Sequence, residues 1–171
     1  MAACPDLISL AGAPVPVRHA VLDLNERNVA ELSELDEARL DRLVAQSFQA
    51  VVIEDGSAFL IAFDQHADYD SPNFRWFQAR YPRFVYVDRV AVAANARGRG
   101  LARSLYGHLL AAARASGHRI VGCEVNVDPP NPASDAFHSA LGFEEVGQAL
   151  LGNGKTVRYL VNLLDSEPAN G

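Results

Sequence analysis

The segment Val90–Ala102 reads Val-Ala-Val-Ala-Ala-Asn-Ala-Arg-Gly-Arg-Gly-Leu-Ala, and it decides the fold. The pattern predicts an apolar strand, then a glycine-containing loop, then a long helix that begins near Leu101. Gly98 and Gly100 allow the backbone to turn sharply and to approach a ligand closely. The first amides of the helix then point at that ligand, with the helix dipole behind them. The neighbouring cations are Arg97, Arg99 and Arg103. We therefore predict an anion site that suits a pyrophosphate.

The spacing of this loop excludes two familiar phosphate loops. No Gly-Lys-Ser/Thr follows the glycines, and the next glycine, Gly107, lies too far along for G-x-G-x-x-G. The remaining pattern, Arg97-x-x-Gly100-x-Ala102, resembles the Arg/Gln-x-x-Gly-x-Gly/Ala motif of the GNAT superfamily of N-acetyltransferases. A second family signature, Asn-x-x-Ala/Ser-x-x-Phe/Leu-Tyr/His-x-x-x-Gly-Phe, is similar to Asn131–Phe143, which reads Asn-Pro-Ala-Ser-Asp-Ala-Phe-His-Ser-Ala-Leu-Gly-Phe. The two signatures occur in the expected order.

The resemblance extends over roughly Val17 to Leu164 and implies an α/β fold of the α+β type, in three α/β/α layers. It implies a mixed, mostly antiparallel sheet that splays between the strands of Val92 and Glu124, with acetyl-CoA in the splay. The pantetheine arm is expected along Val90 and Val92, and the pyrophosphate on the loop. Asn131 falls where the family often contacts the cofactor, although Asn131-Pro132 also suits a helix N-cap. The expected cofactor-binding residues are Val90, Val92, Arg97, Gly98, Arg99, Gly100, Leu101, Ala102, Arg103 and Asn131.

The implied activity is direct transfer of the acetyl group from acetyl-CoA to an amine. A lysine-like amine has a pKa near 10.4, so its deprotonation at pH 7 costs about 4 to 5 kcal/mol, and a base is valuable. Glu124 is the first candidate, because Cys123-Glu124-Val125 resembles the Leu-Glu-Val of members with a carboxylate on this strand. The interval from Glu124 to Asn131 is longer than the family pattern. Asp88 is the competing base, since alternation places it on the strand face of Val90 and Val92; a buried pair with Arg89 is its structural alternative.

His138 falls where many relatives place a tyrosine that protonates the leaving thiolate. An imidazole could donate that proton, or could hydrogen-bond the sulfur. Its structural alternative is a histidine at the helix edge whose nitrogens meet backbone or water. If the candidate carboxylates and His138 are structural, the chain is instead a catalytically silent CoA-binding module.

Composition places the chain among acidic single-domain proteins. It has 171 residues, 49% of them hydrophobic, a formal charge of −6 and a pI of about 5.3, which argues against nucleic-acid binding. The only cysteines, Cys4 and Cys123, predict neither a disulfide framework nor a metal site. No signal-like start or long apolar run is present, so we expect a cytoplasmic protein without a membrane partner. We predict one domain over residues 15–165, with flexible tails at 1–14 and 166–171.

The predicted elements alternate between strands and helices. A first strand is expected over Val15–Leu24, followed by a helical region that Asn25 caps and that is interrupted near Ser33 or Asp36. The other expected elements are a hairpin at Asp55-Gly56, a strand Phe84–Val92, a helix from Leu101 ending at Gly117, a strand Ile120–Val127, a helix Pro132–Leu141, and a hairpin of Phe143–Leu150 with Thr156–Leu164.

The connection between Asp64 and Arg83 is rich in aromatic residues. Five of the chain's fourteen aromatics lie there: Tyr69, Phe74, Trp76, Phe77 and Tyr81. Such a segment could be a substrate lid, a cleft wall or a subunit contact in a homodimer, or could simply cover the sheet. It does not choose between a small amine, an amino acid, a peptide N-terminus and a lysine side chain as the acceptor.

Overall fold

The computed structural model describes residues 6–165. Its helices are α1 (Val15–Arg27), α2 (Glu37–Gln46), α3 (Pro72–Gln78), α4 (Leu101–Ala115) and α5 (Pro132–Ala140), with a short 3-10 turn at Ala94–Ala96. Its strands are β1 (Leu7–Ser9), β2 (Gln49–Ile53), β3 (Ala58–Asp64), β4 (Val85–Val92), β5 (Ile120–Asp128), β6 (Glu144–Leu150) and β7 (Thr156–Leu163).

Within residues 6–165, seven strands form one sheet in the order β1-β2-β3-β4-β5-β7-β6. β4 and β5 pair in parallel, whereas β1–β2, β2–β3, β5–β7 and β6–β7 are antiparallel. A mixed, mostly antiparallel sheet with flanking helices confirms the expected α/β fold. The chain divides into two compact units, residues 6–63 with 87–111 and residues 64–86 with 112–165. The single domain over residues 15–165 stays a prediction.

The first unit corrects the expectation for the start of the chain. Val15–Leu24 belongs to helix α1 and not to a strand, because Val21 and Leu24 recur at helical spacing and are buried. Pro16 fits the first turn of that helix, where its missing N–H costs nothing. Asn25 is correspondingly not a cap, since it lies inside α1 with its side chain buried. Burial against the rest of the unit outweighs the strand preference of the valines.

Two further expectations concern the ends of the chain. Leu7–Ser9 was expected in a flexible tail, but it forms β1, which pairs with β2 from Leu7↔Ile53 to Ser9↔Val51. Backbone pairing with a buried strand orders this short segment. Cys4 and the remaining tail residues 1–5 and 166–171 lie outside the described part of the chain.

Several local predictions are confirmed. Asp36 caps α2 by accepting a hydrogen bond from the Arg39 amide at 2.7 Å, which places the interruption after α1. Gly56 has a φ of +78° in the turn between β2 and β3, and a Cβ there would lie 2.6 Å from Ala20 Cβ. Gly117 has a φ of +77° just beyond α4.

Between residues 6 and 165, no helix is long and apolar enough to cross a membrane.

The second unit is packed around the aromatic segment. Phe74 and Phe77 of α3 are fully buried, and the Phe77 ring lies 6.0 Å from Phe84 and 5.6 Å from Tyr86, between centroids. Gly122 of β5 leaves room for Phe77, because a Cβ at this position would lie 2.3 Å from Phe77 Cε1. Part of the aromatic segment therefore covers this unit's share of the sheet.

Candidate active site

The loop before α4 has the backbone geometry of an anion cradle. Gly98 and Gly100 have φ values of +79° and +75°, in the left-handed region that favours glycine. A Cβ built at either position would meet no atom of the described residues within 4 Å, so the space beside the loop is open. The Ser104 amide donates to the Gly100 carbonyl at 3.0 Å, and the preceding amides of the first turn have no partner within the helix. The loop could therefore receive an anion from backbone donors.

The side chains around this loop match that chemistry. Leu101 is buried and anchors the start of α4, whereas Arg97, Arg99 and Arg103 are exposed. Guanidinium groups at these positions can pair with phosphate oxygens bidentately. Anchored backbone donors and exposed guanidinium groups are what a pyrophosphate requires.

Strand β4 leads into the loop with two different faces. One face carries Asp88, Val90 and Val92, which are half-buried when each residue is taken as a whole. The other face carries Val87, Arg89 and Ala91, which are buried. The alternation that the sequence predicted for Asp88 is thus present in the structure. The expected contact of Val90 and Val92 with a pantetheine arm would use the half-buried face.

Asp88 forms the buried ion pair that the sequence analysis held open as its alternative. Arg89 Nε donates to Asp88 Oδ2 at 2.8 Å, and the two side chains are 2% and 6% exposed. The same guanidinium donates to Asn25 Oδ1 at 2.9 Å and to Ser33 Oγ at 2.8 Å. A carboxylate engaged in such a network is less suited to accept a substrate proton than one outside it.

The Arg89 network was not foreseen from the sequence. It connects β4 to α1 and to the segment that follows α1, and Asn25 completes it by donating from Nδ2 to the Ser33 carbonyl at 2.9 Å. A signal was available, because the period of two places Arg89 on the same buried face of β4 as Val87 and Ala91. A buried arginine on a strand needs several hydrogen-bonding partners.

Glu124 is hydrogen-bonded to one tyrosine of the second unit and lies opposite another. The Tyr86 hydroxyl donates to Glu124 Oε2 at 2.6 Å, and Glu124 is half-buried on β5. Tyr159 lies directly opposite Glu124 in the β5–β7 pair, and its hydroxyl donates to Asn73 Oδ1 at 2.9 Å. Burial raises the pKa of Tyr159, and the nearby Glu124 charge adds to that increase. Tyr86 and Tyr159 were not identified from the sequence because strand pairing brings them to Glu124, and Asn73 reaches Tyr159 from helix α3.

Cys123, beside Glu124, does not fit a nucleophile. Its side chain is fully buried, and burial followed by the Glu124 charge raises the pKa of its thiol well above the usual value. The thiolate is the reactive form of cysteine, and burial disfavours it here.

His138 has a defined hydrogen-bonding direction. Its Nδ1 lies 2.8 Å from the Ser134 carbonyl oxygen, which can only accept, so we assign the proton of the neutral ring to Nδ1. Nε2 is then an acceptor. Burial lowers the pKa of His138, although the Ser134 hydrogen bond and Asp135 oppose that effect. The acid role implied by the resemblance would need the imidazolium, which burial disfavours.

The pH dependence of stability should reveal this burial. The unfolded His138 titrates near pH 6.5 and the folded one lower, so the unfolded state binds more protons between these pKa values. We expect the free energy of unfolding to fall as the pH drops below about 6.5, and His138→Gln to make this fall shallower in urea titrations. His118, whose pKa burial also lowers, contributes in the same direction. Exposed His108→Gln is the control, and an unchanged slope in His138→Gln would contradict the assignment.

Asn131 performs the structural role that the sequence offered for it. Its Oδ1 accepts from the Ser134 amide at 3.2 Å, and Pro132 occupies the first turn of α5. The expected contact between Asn131 and the cofactor stays a prediction.

The candidate residues divide between the two units. The first unit contains Asp88, Val90, Val92 and the loop residues 97–103, and the second contains Glu124, Asn131 and His138.

Comparison with known proteins agrees with this arrangement. The sequence model of the Acetyltransferase (GNAT) family matches residues 32–143, which is more than half of the chain. The protein therefore belongs to the GNAT acetyltransferase family.

One curated relative and two solved structures illustrate the similarity. L-2,4-diaminobutyric acid acetyltransferase from Wolinella succinogenes is 35% identical over 69 residues, which are 40% of this chain and 40% of that protein. The structure of YncA from Salmonella typhimurium with its cofactor acetyl-CoA is 19% identical, has a TM-score of 0.66 and covers 98% of both chains. The ribosomal-protein-S18-alanine N-acetyltransferase from Escherichia coli is 17% identical, with a TM-score of 0.65 and 97% coverage of both chains. At these identities the two structures show the shared fold.

Proposed function

We propose that this protein is an acetyl-CoA-dependent N-acetyltransferase that transfers the acetyl group directly to an amine. The loop between β4 and α4 carries the proposal, because its two left-handed glycines, open space and flanking arginines fit a pyrophosphate. Membership of the family supports the activity, and the bound acetyl-CoA of the Salmonella relative supports the donor. The short match to a diaminobutyrate acetyltransferase supports an amine acceptor.

The proposed donor site uses residues of the first unit. The amides of residues 98–102 and the side chains of Arg97, Arg99 and Arg103 would bind the pyrophosphate. The backbone of Val90 and Val92 would hold the pantetheine arm and the thioester, since these residues lie on the half-buried face of β4. Main-chain donors of this kind are held in place before the ligand binds, so little ordering is required of them.

Glu124 is the proposed base. The protonated acceptor amine would transfer one proton to the Glu124 carboxylate, directly or through a water, and the Tyr86 hydroxyl would hold that carboxylate in place. The neutral nitrogen then forms a bond to the thioester carbon, and the carbon–sulfur bond breaks as the tetrahedral intermediate collapses. The nitrogen then loses a second proton and keeps one as the amide N–H, and the departing thiolate takes up a proton. The net products are the acetylated amine, CoA and one proton.

A catalytically silent CoA-binding module is the second candidate. It is favoured by the structural partners of two candidate catalytic groups, since Asp88 is paired with Arg89 and His138 with Ser134. Both functions predict acetyl-CoA binding, but only the transferase predicts release of CoA when amines are added. A screen of amines with detection of the free thiol separates the two.

Titration calorimetry with acetyl-CoA tests the donor site. Arg97→Ala/Arg99→Ala should weaken binding at least about tenfold, because two charge-assisted contacts to phosphate are removed. Arg114→Ala/Arg119→Ala removes the same charge from exposed positions outside the loop, and we expect it to bind like the wild type. Absence of binding by the folded wild-type protein would overturn both candidate functions.

A further inference from the structure

A row of neighbouring groups in the second unit runs from Glu124 to an exposed arginine. Tyr159 lies opposite Glu124 in the β5–β7 pair, and the Trp76 ring stacks on Tyr159 with centroids 4.1 Å apart and an interplanar angle of 17°. The Arg80 guanidinium carbon lies 3.9 Å from the centroid of the Trp76 ring. We call Glu124, Tyr159, Trp76 and Arg80 the charged row, because opposite charges lie at its two ends.

The surrounding backbone holds this row in place. Gly147 of β6 pairs with Tyr159, and a Cβ at Gly147 would lie 2.6 Å from the Trp76 ring. The missing side chain thus makes room for the indole. Arg80 Nη1 also donates to the Trp76 carbonyl at 3.1 Å, which anchors the guanidinium to α3. The position of the positive charge is therefore specified by both a ring contact and a hydrogen bond.

The two charges act on the same group from the two ends of the row. Burial is the main reason that the pKa of Tyr159 is raised, but Glu124 raises it further and Arg80 lowers it. Glu124 and Arg80 are thus both near the Tyr159 side chain. Adjacent strands are about 4.8 Å apart, and the indole covers β6, which is two strands from β5. The separation of the charges therefore exceeds one strand spacing.

Arg80 differs from its neighbour Arg75 on α3. Arg75 forms an ion pair with Asp70 at 2.8 Å. Among residues 6–165 the Arg80 guanidinium has no carboxylate within ion-pair distance, and it contacts the ring and the carbonyl of Trp76. A guanidinium group has five N–H donors in a planar fork that matches a carboxylate. Stacked on Trp76 and exposed, Arg80 retains donors for such a ligand.

We propose that the acceptor is a free amino acid with an amine at the end of its side chain, whose carboxylate binds Arg80 while that amine meets Glu124. This inference rests on the proposed transferase function. An α-amine shares its carbon with the carboxylate and is too close to it to span the charged row. A side-chain amine is separated from the carboxylate by several carbons, and those carbons can lie along the edge of Trp76.

Matched acceptors test this proposal through release of CoA. L-2,4-diaminobutyrate, L-ornithine and L-lysine are each compared with the diamine that lacks the carboxylate. We expect kcat/KM to be about tenfold higher for at least one amino acid than for its diamine. This is the effect expected when the diamine lacks one charge-assisted contact, the one between the carboxylate and Arg80. Arg80→Gln should abolish this preference by raising KM for the amino acid and should leave the diamine within about twofold. Arg80→Lys should restore part of the preference, and Arg75→Gln should resemble the wild type.

Trp76 provides a second readout because it is the only tryptophan in the chain. Titration of the preferred amino acid into the CoA-bound protein should change the Trp76 fluorescence saturably, and the matched diamine should not change it at the same concentrations. The same titration of Arg80→Gln should give no saturable change.

Three results would overturn the proposal. These are equal use of amino acids and diamines by the wild type, an equal loss for both classes in Arg80→Gln, and acetylation of peptide N-termini but not of the amino acids. The last result would leave the proposed transferase function intact. That function fails separately, if acetyl-CoA does not bind.

Discussion

Glu124→Gln is expected to lower kcat by about 100- to 10,000-fold, the usual range for removing a general base. The amide can no longer accept the amine proton, but it keeps the shape of the carboxylate and can still accept the Tyr86 hydrogen bond at 2.6 Å. Affinity for acetyl-CoA should stay within about twofold, because the proposed phosphate loop belongs to the other unit. Steady-state thiol release and calorimetry on the same preparation measure the two quantities.

Two companion variants make this result specific to Glu124. Tyr86→Phe removes only the hydrogen bond that orients the carboxylate, so its kcat should fall less than in Glu124→Gln. Asp88→Asn weakens the pair with Arg89 and is expected to reduce the free energy of unfolding more clearly than kcat. A full loss of kcat in a well-folded Asp88→Asn protein, together with an active Glu124→Gln, would make Asp88 the base.

Gly122→Val should destabilise the protein by about 3 kcal/mol or more, at the upper end of the cost of overpacking. A Cβ at Gly122 would lie 2.3 Å from Cε1 and 2.7 Å from Cζ of Phe77, whose side chain is fully buried. Phe77 cannot retreat easily, because Phe84 and Tyr86 pack against it. Urea denaturation of the variant measures the loss, and Tm should fall by about 2 to 4 °C for each kcal/mol.

Gly107→Ala is the matched control, and we expect it to increase the free energy of unfolding. Gly107 lies inside α4 and is exposed, and a Cβ there would meet nothing within 4 Å among the described residues. Alanine in an exposed helix interior is more stable than glycine by about 0.5 to 1 kcal/mol. If Gly122→Val is as stable as the wild type, the close contact between Phe77 and Gly122 of β5 is contradicted.

Local turn chemistry explains which elements could be predicted. Asp55-Gly56, Gly98, Gly100 and Gly117 each mark a turn or a helix boundary, and all four glycines have positive φ values. Such conformations are expensive for other residues, so the requirement is visible in the residue itself. The same holds for Asp36 and Asn131, whose side chains cap the helices that they precede.

The start of the chain was predicted wrongly for a physical reason. Valines at residues 15, 17 and 21 favour a strand locally, but the buried positions Val21 and Leu24 follow a helical repeat. Asn25 looked like a cap because asparagine often is one, whereas it is a buried partner of Arg89, 64 residues away. Neither fact can be read from a short window of sequence, because both depend on which surfaces meet.

The sequence by itself determined the family, the glycine loop before α4 and the residue types of the proposed chemistry, since these are local patterns of glycine, arginine, asparagine and aromatic residues. Only the tertiary structure decided how the candidate groups are engaged. Asp88 is paired with Arg89, His138 donates to Ser134, and Glu124 accepts from Tyr86 across 38 residues. The physical reason is that a side chain's proton-transfer role depends on its burial and hydrogen-bonding partners. Strand register and helix packing bring those partners together from distant parts of the chain.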